Sequence, residues 1–500
     1  MRNWTRWTPL LLTLLALAWR MILSAQYYGW EESDYGNLAM ARGAFESGFT
    51  DFDMKHLPFY YFLSGLFVAL LDDSIWATHI VSVGTGAMSI GLVYLIGRRA
   101  FDETVALSAA LILCVQSEYA LYASSSLREP LFGFLVLLGA HLLLENRPRG
   151  AAWASSFSFL TRFDSMLIAL PATLYHVVRR PPSLKSLRHP LWSMLAIYGG
   201  VVFLWAWYCS VHHGTWLFFM PTVEVNLETG GGHELRTPME RLQGGLEVVR
   251  ALFFSTMPNH LSYPIWLGAL LGLWLHRREL FARTARGTLF AYGFLNTGFW
   301  LGIGLVGQHE PEHNLYWKWL YPLMPWWVLF ACSAGVWVVR ALPQRALRGA
   351  LVLLVVVMMG NTYARETHRQ LILSEQLLKP QVELARWVEA HVPPGTSMVF
   401  DNIPACYLNR KPHTWLLISW FDVPVPRDDE ASMAAWLREQ RIRYVLWFQE
   451  DWTQAPLIAP YLRDPRIHVL DGLHLTPLFQ DAAYGFVFYE VQVTDGEALP

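Results

Sequence analysis

Three carboxylates, Glu31, Glu32 and Asp34, fall within four residues directly after the first long apolar run, PLLLTLLALAWRMILSAQYY, and Tyr35 follows at once. Lys55 and His56 precede a second apolar stretch, PFYYFLSGLFVALL, and Arg128 and Glu129 stand just before Pro130, where a further run begins. His309, Glu310, Glu312, His313 and Lys318 surround the start of a late run. Acids, histidines and lysines are the side chains that move protons and hold anions. A charge at bilayer depth is costly and marks function, which makes SLREPLF informative. His309 and His313 lie at i and i+4, which places them on one face only in a helix; Pro311 argues against one, so a divalent metal stays possible and none is certain.

The elements that must position these residues are read from composition. The chain has 500 residues, 54% hydrophobic and 16% charged, with 24 Trp, a profile far from that of a water-soluble domain. The formal net charge of −2 gives no electrostatic footprint for nucleic acid. Cys114, Cys209, Cys332 and Cys406 form no CxxC pair, so neither a disulfide framework nor a thiolate metal site is indicated.

Crossing a bilayer takes about 20 apolar residues, and Lys and Arg collect on the cytoplasmic side. Arg2 and Arg6 precede a first span at 8–28, which puts Glu31, Glu32 and Asp34 outside. The run 58–71 ends in Asp72 and Asp73 and is short, so it is expected to lie along the outer interface. Spans at 76–97, 104–122 and 130–144 follow, and 151–178 reads as a broken hairpin with Arg162 and Asp164 neutralising the break. Further spans are expected at 191–210, 263–276, 286–306, 315–340 and 349–364, about eleven in all, with an outer loop at 211–260. Parity leaves the chain beyond residue 370 outside. There VELARWVEAHVPPGTSMVFDN and DDEASMAAWLREQRIRYVLWFQ both read as helix then strand, so the expectation is a transmembrane domain at 1–369, with 29–75 its first outer loop, and an extracytoplasmic α/β domain at 370–500. No Gly-rich phosphate loop opens a helix of the tail.

EESDY with LAMARGAFESG, KHLPFYYFLSGL, SSSLREPLFGFLVLLGAHLLLE, SFLTRFDSMLIALP and YWKWLYPLMPWW together resemble the GT-C superfamily of polyprenyl-phosphate-sugar glycosyltransferases. The likeness is to the protein O-mannosyltransferases and the lipid A aminoarabinose transferases, and it covers about residues 8–340. It implies a GT-C type fold and inverting transfer of a sugar from a lipid phosphate to a hydroxyl. A carboxylate among Glu31, Glu32 and Asp34 would be the general base, with Glu31 standing where the family has Asp. Lys318, Arg128 and Lys55 would bind the donor phosphate, and Glu129, His56, Tyr35 and His313 the substrates. Lys318-Trp319 replaces the usual Arg-Tyr, keeping a cation but losing its bidentate fork. Glu129 also suits the dipole of its own helix, and Lys318 also suits snorkelling to the interface.

The implied partners are a polyprenyl-phosphate-linked sugar, a glycan, lipid or protein acceptor, and membrane lipid. The implied location is the cytoplasmic (inner) membrane with the active site outside. The rival class is a polytopic transporter or flippase, which would place charges near the midplane and show two related halves. Here most charges sit at one face and a folded outer domain follows.

Overall fold

The computed structural model describes residues 4–28, 33–52, 57–71, 75–166, 169–178, 190–216, 250, 262–279, 284–293, 321–393, 395–399, 416–418, 430–448, 468–470, 472–481 and 486–493. The chain divides into two compact units, one of residues 1–26 and 40–368, the other of residues 27–39 and 369–500. The short segment 27–39, which follows the first span in sequence, thus clusters with the C-terminal residues.

The first unit is helical. Its elements are α1 (Trp4–Gln26), the second half of α2 (Ser33–Glu46), α3 (Pro58–Leu70), α4 (Trp76–Ala100), α5 (Glu103–Val115), α6 (Ser117–Tyr122), α7 (Glu129–Leu144) and α8 (Pro148–Phe159). A 3-10 turn at Phe163–Met166, α9 (Ala169–Val178), α10 (Pro190–His213), α11 (Tyr263–Leu275), a helical stretch at 285–293, α12 (Met324–Ala341) and the part of α13 (Arg345–His391) up to residue 368 complete its described helices. By length and composition, five helices among the described residues can cross a membrane: α1, α4, α10, α12 and α13. The apolar helices α3, α5, α7 and α11 are shorter.

Helix α4 packs against α1, α3, α5 and α7 and is largely buried. Its run of Gly, Ala, Ser and Thr fits this position, because small side chains let neighbouring backbones approach where lipid supplies no hydrophobic drive between helices. Helix α1 shows the complementary pattern. Leu12, Ala16, Arg20 and Leu23 form its buried stripe, while Leu11, Leu14, Leu15 and Ile22 are exposed. In α3, Phe62, Leu66 and Leu70 project outward at intervals of four, opposite the buried Tyr61, Gly65 and Val68. An apolar stripe of this kind suits a helix lying at the membrane interface.

Two expectations are corrected. The span expected at 104–122 is two helices, because Gln116 adopts an extended conformation (φ −61°, ψ 122°) and caps α6 through its side chain. The helix expected at 349–364 does not stop there but belongs to the 47-residue α13, with Pro380 inside it. The region 151–178, expected to be a broken hairpin, is indeed two short helices, α8 and α9, with the 3-10 turn between them.

In the second unit the described strands form one six-stranded sheet in the order β2-β1-β3-β6-β5-β4. They are β1 (Ser397–Val399), β2 (Leu416–Ile418), β3 (Tyr444–Phe448), β4 (His468–Leu470), β5 (Leu473–Asp481) and β6 (Phe486–Val493). β1 runs parallel to β2 and β3, and the other pairings are antiparallel. Because side chains alternate across a strand, the sheet has two apolar faces. Val399, Val445 and Tyr489 pack with α14 (Glu430–Glu439), while Met398, Tyr444, Leu446 and Phe488 pack with the end of α13.

At Gly272 of α11 an added Cβ would lie 2.1 Å from the Phe330 carbonyl oxygen of α12, a backbone atom that cannot step aside. Gly272→Ala is therefore expected to cost about 1–3 kcal/mol through overpacking, read as a lower Tm of the detergent-solubilised chain. Gly349→Ala, where a Cβ meets nothing within 4 Å, should leave Tm unchanged or raise it.

Candidate active site

The chain from Gln116 to Glu129 is buried, polar and only partly helical, and its neighbours hold it residue by residue. The Gln116 side chain accepts from the Tyr119 amide. Ser24 of α1 donates to the Ser124 carbonyl at 2.5 Å. Thr78 and Ser126 share a hydroxyl–hydroxyl bond of 2.6 Å, and Ser82 of α4 donates to the Leu127 carbonyl at 2.5 Å. Tyr60 of α3 joins the same network through Ser82 at 3.1 Å. Side chains from α1, α3 and α4 thus fix the approach to Arg128 and Glu129.

Glu129 opens α7 with Pro130 behind it, an arrangement that leaves no proline amide to satisfy and sets the carboxylate at the positive end of the helix dipole. It is 2% exposed. Its Oε1 accepts from Arg162 Nη1 in a buried ion pair, and the guanidinium lies 5.9 Å from the centre of the Phe132 ring. Glu129 Oε2 makes no hydrogen bond among the described residues. The carboxylate is therefore anchored by one oxygen and has acceptor capacity on the other.

This end of the helical unit also carries α3. The Phe59 amide donates to Leu160 O at 2.9 Å, Phe59 stacks on Phe157, and Phe52 is tied to Tyr208 and His213 of α10. The opposite end collects arginines: Arg98 and Arg99 close α4, Arg340 pairs with Asp102 at 3.0 Å, and Arg286 pairs with Glu279 at 2.6 Å while binding Ala100 O.

In the second unit, Asp34 is fully buried in the first turn of α2, where the helix dipole favours a carboxylate. Tyr35 is also buried and donates to the Tyr28 carbonyl at 2.6 Å, and the Tyr28 amide donates to Ser374 Oγ at 2.9 Å. Burial, and next the Asp34 charge, push the Tyr35 phenol well above its ordinary range. It stays a proton donor, committed to the main chain. Arg128 is half-buried. Glu31, Glu32, Lys55, His56, His309, His313 and Lys318 lie outside the described residues. Among the described residues no group of three His, Cys, Asp or Glu side chains is placed to hold a metal.

Arg162 was expected only to neutralise a helix break; instead it is the partner of Glu129, across 33 residues. Its sequence signal was a lone arginine inside an apolar run, matched by a lone glutamate at the head of another.

Residues 55–207, from just before α3 into α10, match the family described as dolichyl-phosphate-mannose-protein mannosyltransferase. No curated protein matches the chain. Among solved structures the chain is similar to ArnT from Cupriavidus metallidurans bound to undecaprenyl phosphate. The identity is 15% and the TM-score 0.60, with 97% of this chain and 98% of that one covered. The apo form of the same protein gives 14% identity and a TM-score of 0.61, covering 98% of each chain. The apo oligosaccharyltransferase of Archaeoglobus fulgidus gives 12% and 0.55, covering 90% of this chain and 70% of that one. The chain has the GT-C fold of an integral membrane protein, as its sequence motifs suggested.

Removing one partner of a buried ion pair strands the other, whereas replacing both by apolar residues does not. Arg162→Met is thus expected to destabilise the helical unit by about 3–5 kcal/mol. The double variant Arg162→Met/Glu129→Leu should recover most of that loss. Denaturation midpoints of the purified chain provide the check.

Proposed function

We propose that the chain is a membrane glycosyltransferase that moves a sugar from a polyprenyl-phosphate donor to a hydroxyl acceptor at the outer face of the membrane. The observation that carries this reading is the buried Glu129, held on one oxygen by Arg162, inside the segment that matches the mannosyltransferase family and at the end of a GT-C fold opposite its arginine-rich collar.

In this reading the acceptor oxygen attacks the anomeric carbon from the face opposite the phosphate. The new C–O bond forms as the bond to the phosphate oxygen breaks, with inversion. A carboxylate among Glu31, Glu32 and Asp34 takes the acceptor proton, and the electron pair of the broken bond stays on the lipid phosphate. Lys318, Arg128 and Lys55 stabilise the charge that develops there. Glu129, with Arg162 fixing its orientation, accepts a hydrogen bond from a sugar hydroxyl, and His56 and His313 serve the substrates. Tyr35 supports Asp34 from a committed, protonated position. The exposed apolar face of α3 suits a boundary that an isoprenoid tail can approach.

Membranes carrying the chain, incubated with radiolabelled polyprenyl-phosphate sugars and a mixed acceptor extract, should transfer label. No transfer with any donor, together with uptake of a solute, would favour a transporter instead. A general base contributes about 10²- to 10⁴-fold, so at least one of Glu31→Gln, Glu32→Gln and Asp34→Asn should lower turnover by that much while expression holds. Full activity in all three would remove this base from the scheme.

A further inference from the structure

Arg20 lies on α1 six residues before its C-terminal Gln26, about 9 Å below the helix end at 1.5 Å per residue. It is fully buried and belongs to the inward stripe of α1, not its lipid face. Among the described residues it forms no ion pair. Its Nη1 donates to the Ala16 carbonyl at 3.3 Å, and the Cys114 thiol is a neighbour. Nε and Nη2 make no hydrogen bond among the described residues.

Those two nitrogens share one edge of the guanidinium, and their N–H bonds point the same way. This edge is the fork that takes two oxygens of one phosphate or carboxylate in parallel. Small residues border this edge. The Nε side faces Gly86 of α4, where an added Cβ would come within 3.3 Å of Nε and 2.4 Å of Ala123 Cβ. The Tyr119 ring lies 5.9 Å from the guanidinium and stacks on Tyr321 at 4.2 Å with planes 5° apart. The hydroxyls of both tyrosines are buried and are polar neighbours of each other, with Ser89 also beside Tyr119. Tyr321 is also an electrostatic neighbour of both Arg20 and Glu129, which links the array to the site already described.

A fully buried cation with no acid beside it costs several kcal/mol, and in a membrane span such a residue calls for a partner. We infer that Arg20 is an anion-binding residue whose Nε–Nη2 fork takes two oxygens of a lipid-borne phosphate, with the Tyr119 and Tyr321 hydroxyls as further donors. The assignment rests on the proposed donor class. It adds a bidentate fork where the late Lys318 offers only a point charge.

The test is equilibrium binding of radiolabelled undecaprenyl phosphate, and of undecaprenol as the phosphate-free control, to the full chain in detergent. Arg20→Lys keeps the charge and loses the fork, and Arg20→Met removes the charge but keeps volume. Both variants should bind undecaprenyl phosphate at least tenfold more weakly than wild type, with undecaprenol binding unchanged. Without ligand, Arg20→Met should melt no lower than wild type, because it removes an uncompensated buried charge. Equal phosphate binding by wild type and both variants would overturn the assignment and leave the donor reading standing. A sharp drop in the ligand-free Tm of Arg20→Met would also overturn it, by making Arg20 a structural residue. Absence of undecaprenyl phosphate binding in wild type would instead sink the donor reading, and this assignment with it.

Discussion

Backbone that leaves the helical path inside a bilayer has no water to satisfy it, and each unmet amide or carbonyl costs several kcal/mol. The segment from Gln116 to Glu129 breaks that path. It persists because Gln116, Ser24 and Ser82 supply missing backbone partners from its own turn and from α1 and α4, while Thr78 holds the Ser126 hydroxyl. Irregular backbone at such depth is tolerated only where protein or a cavity surrounds it, which is the setting of transport and catalytic sites. The break lets α7 begin with Glu129 buried, and the placement of Arg162, Tyr321 and α3 follows from that start.

Two buried charges are handled in opposite ways. Glu129 has a cation on one oxygen, so the pair offsets much of its desolvation, and the remaining oxygen is available. Among the described residues Arg20 has a carbonyl, a thiol and the Tyr119 ring beside it and no acid paired with it. A cation–π contact contributes about 2 kcal/mol when desolvated, well short of an ion's burial cost. The imbalance marks Arg20 as a residue suited to a ligand.

Much of the architecture was legible in the sequence because its signals are local. Apolar run length marked the long helices α1, α4 and α10, and the proline after Glu129 marked the first turn of α7. The helix-then-strand order of the tail likewise reads from periodicity, and α14 followed by β3 is its outcome. What was hidden depends on contacts distant in the chain. The pairing of Glu129 with Arg162 spans 33 residues, and neither neighbourhood announces the other. The break at Gln116 sits in a run whose mean apolarity is enough for one continuous span; only the sequence Gln-Ser-Glu within it hinted at a polar interior. Arg20 carried a charge but no direction, since composition alone cannot tell the buried stripe of α1 from its lipid face.

The central claim is that the lipid phosphate is held at the Arg128–Glu129 end of α7, the end opposite the arginine collar. Electron cryomicroscopy of the chain in lipid nanodiscs with added undecaprenyl phosphate tests it directly. The account predicts phosphate density within hydrogen-bond reach of side chains at that end, with the isoprenoid running out toward α3. Density seated instead among Arg98, Arg286 and Arg340, or none on the protein at saturating lipid, would contradict it.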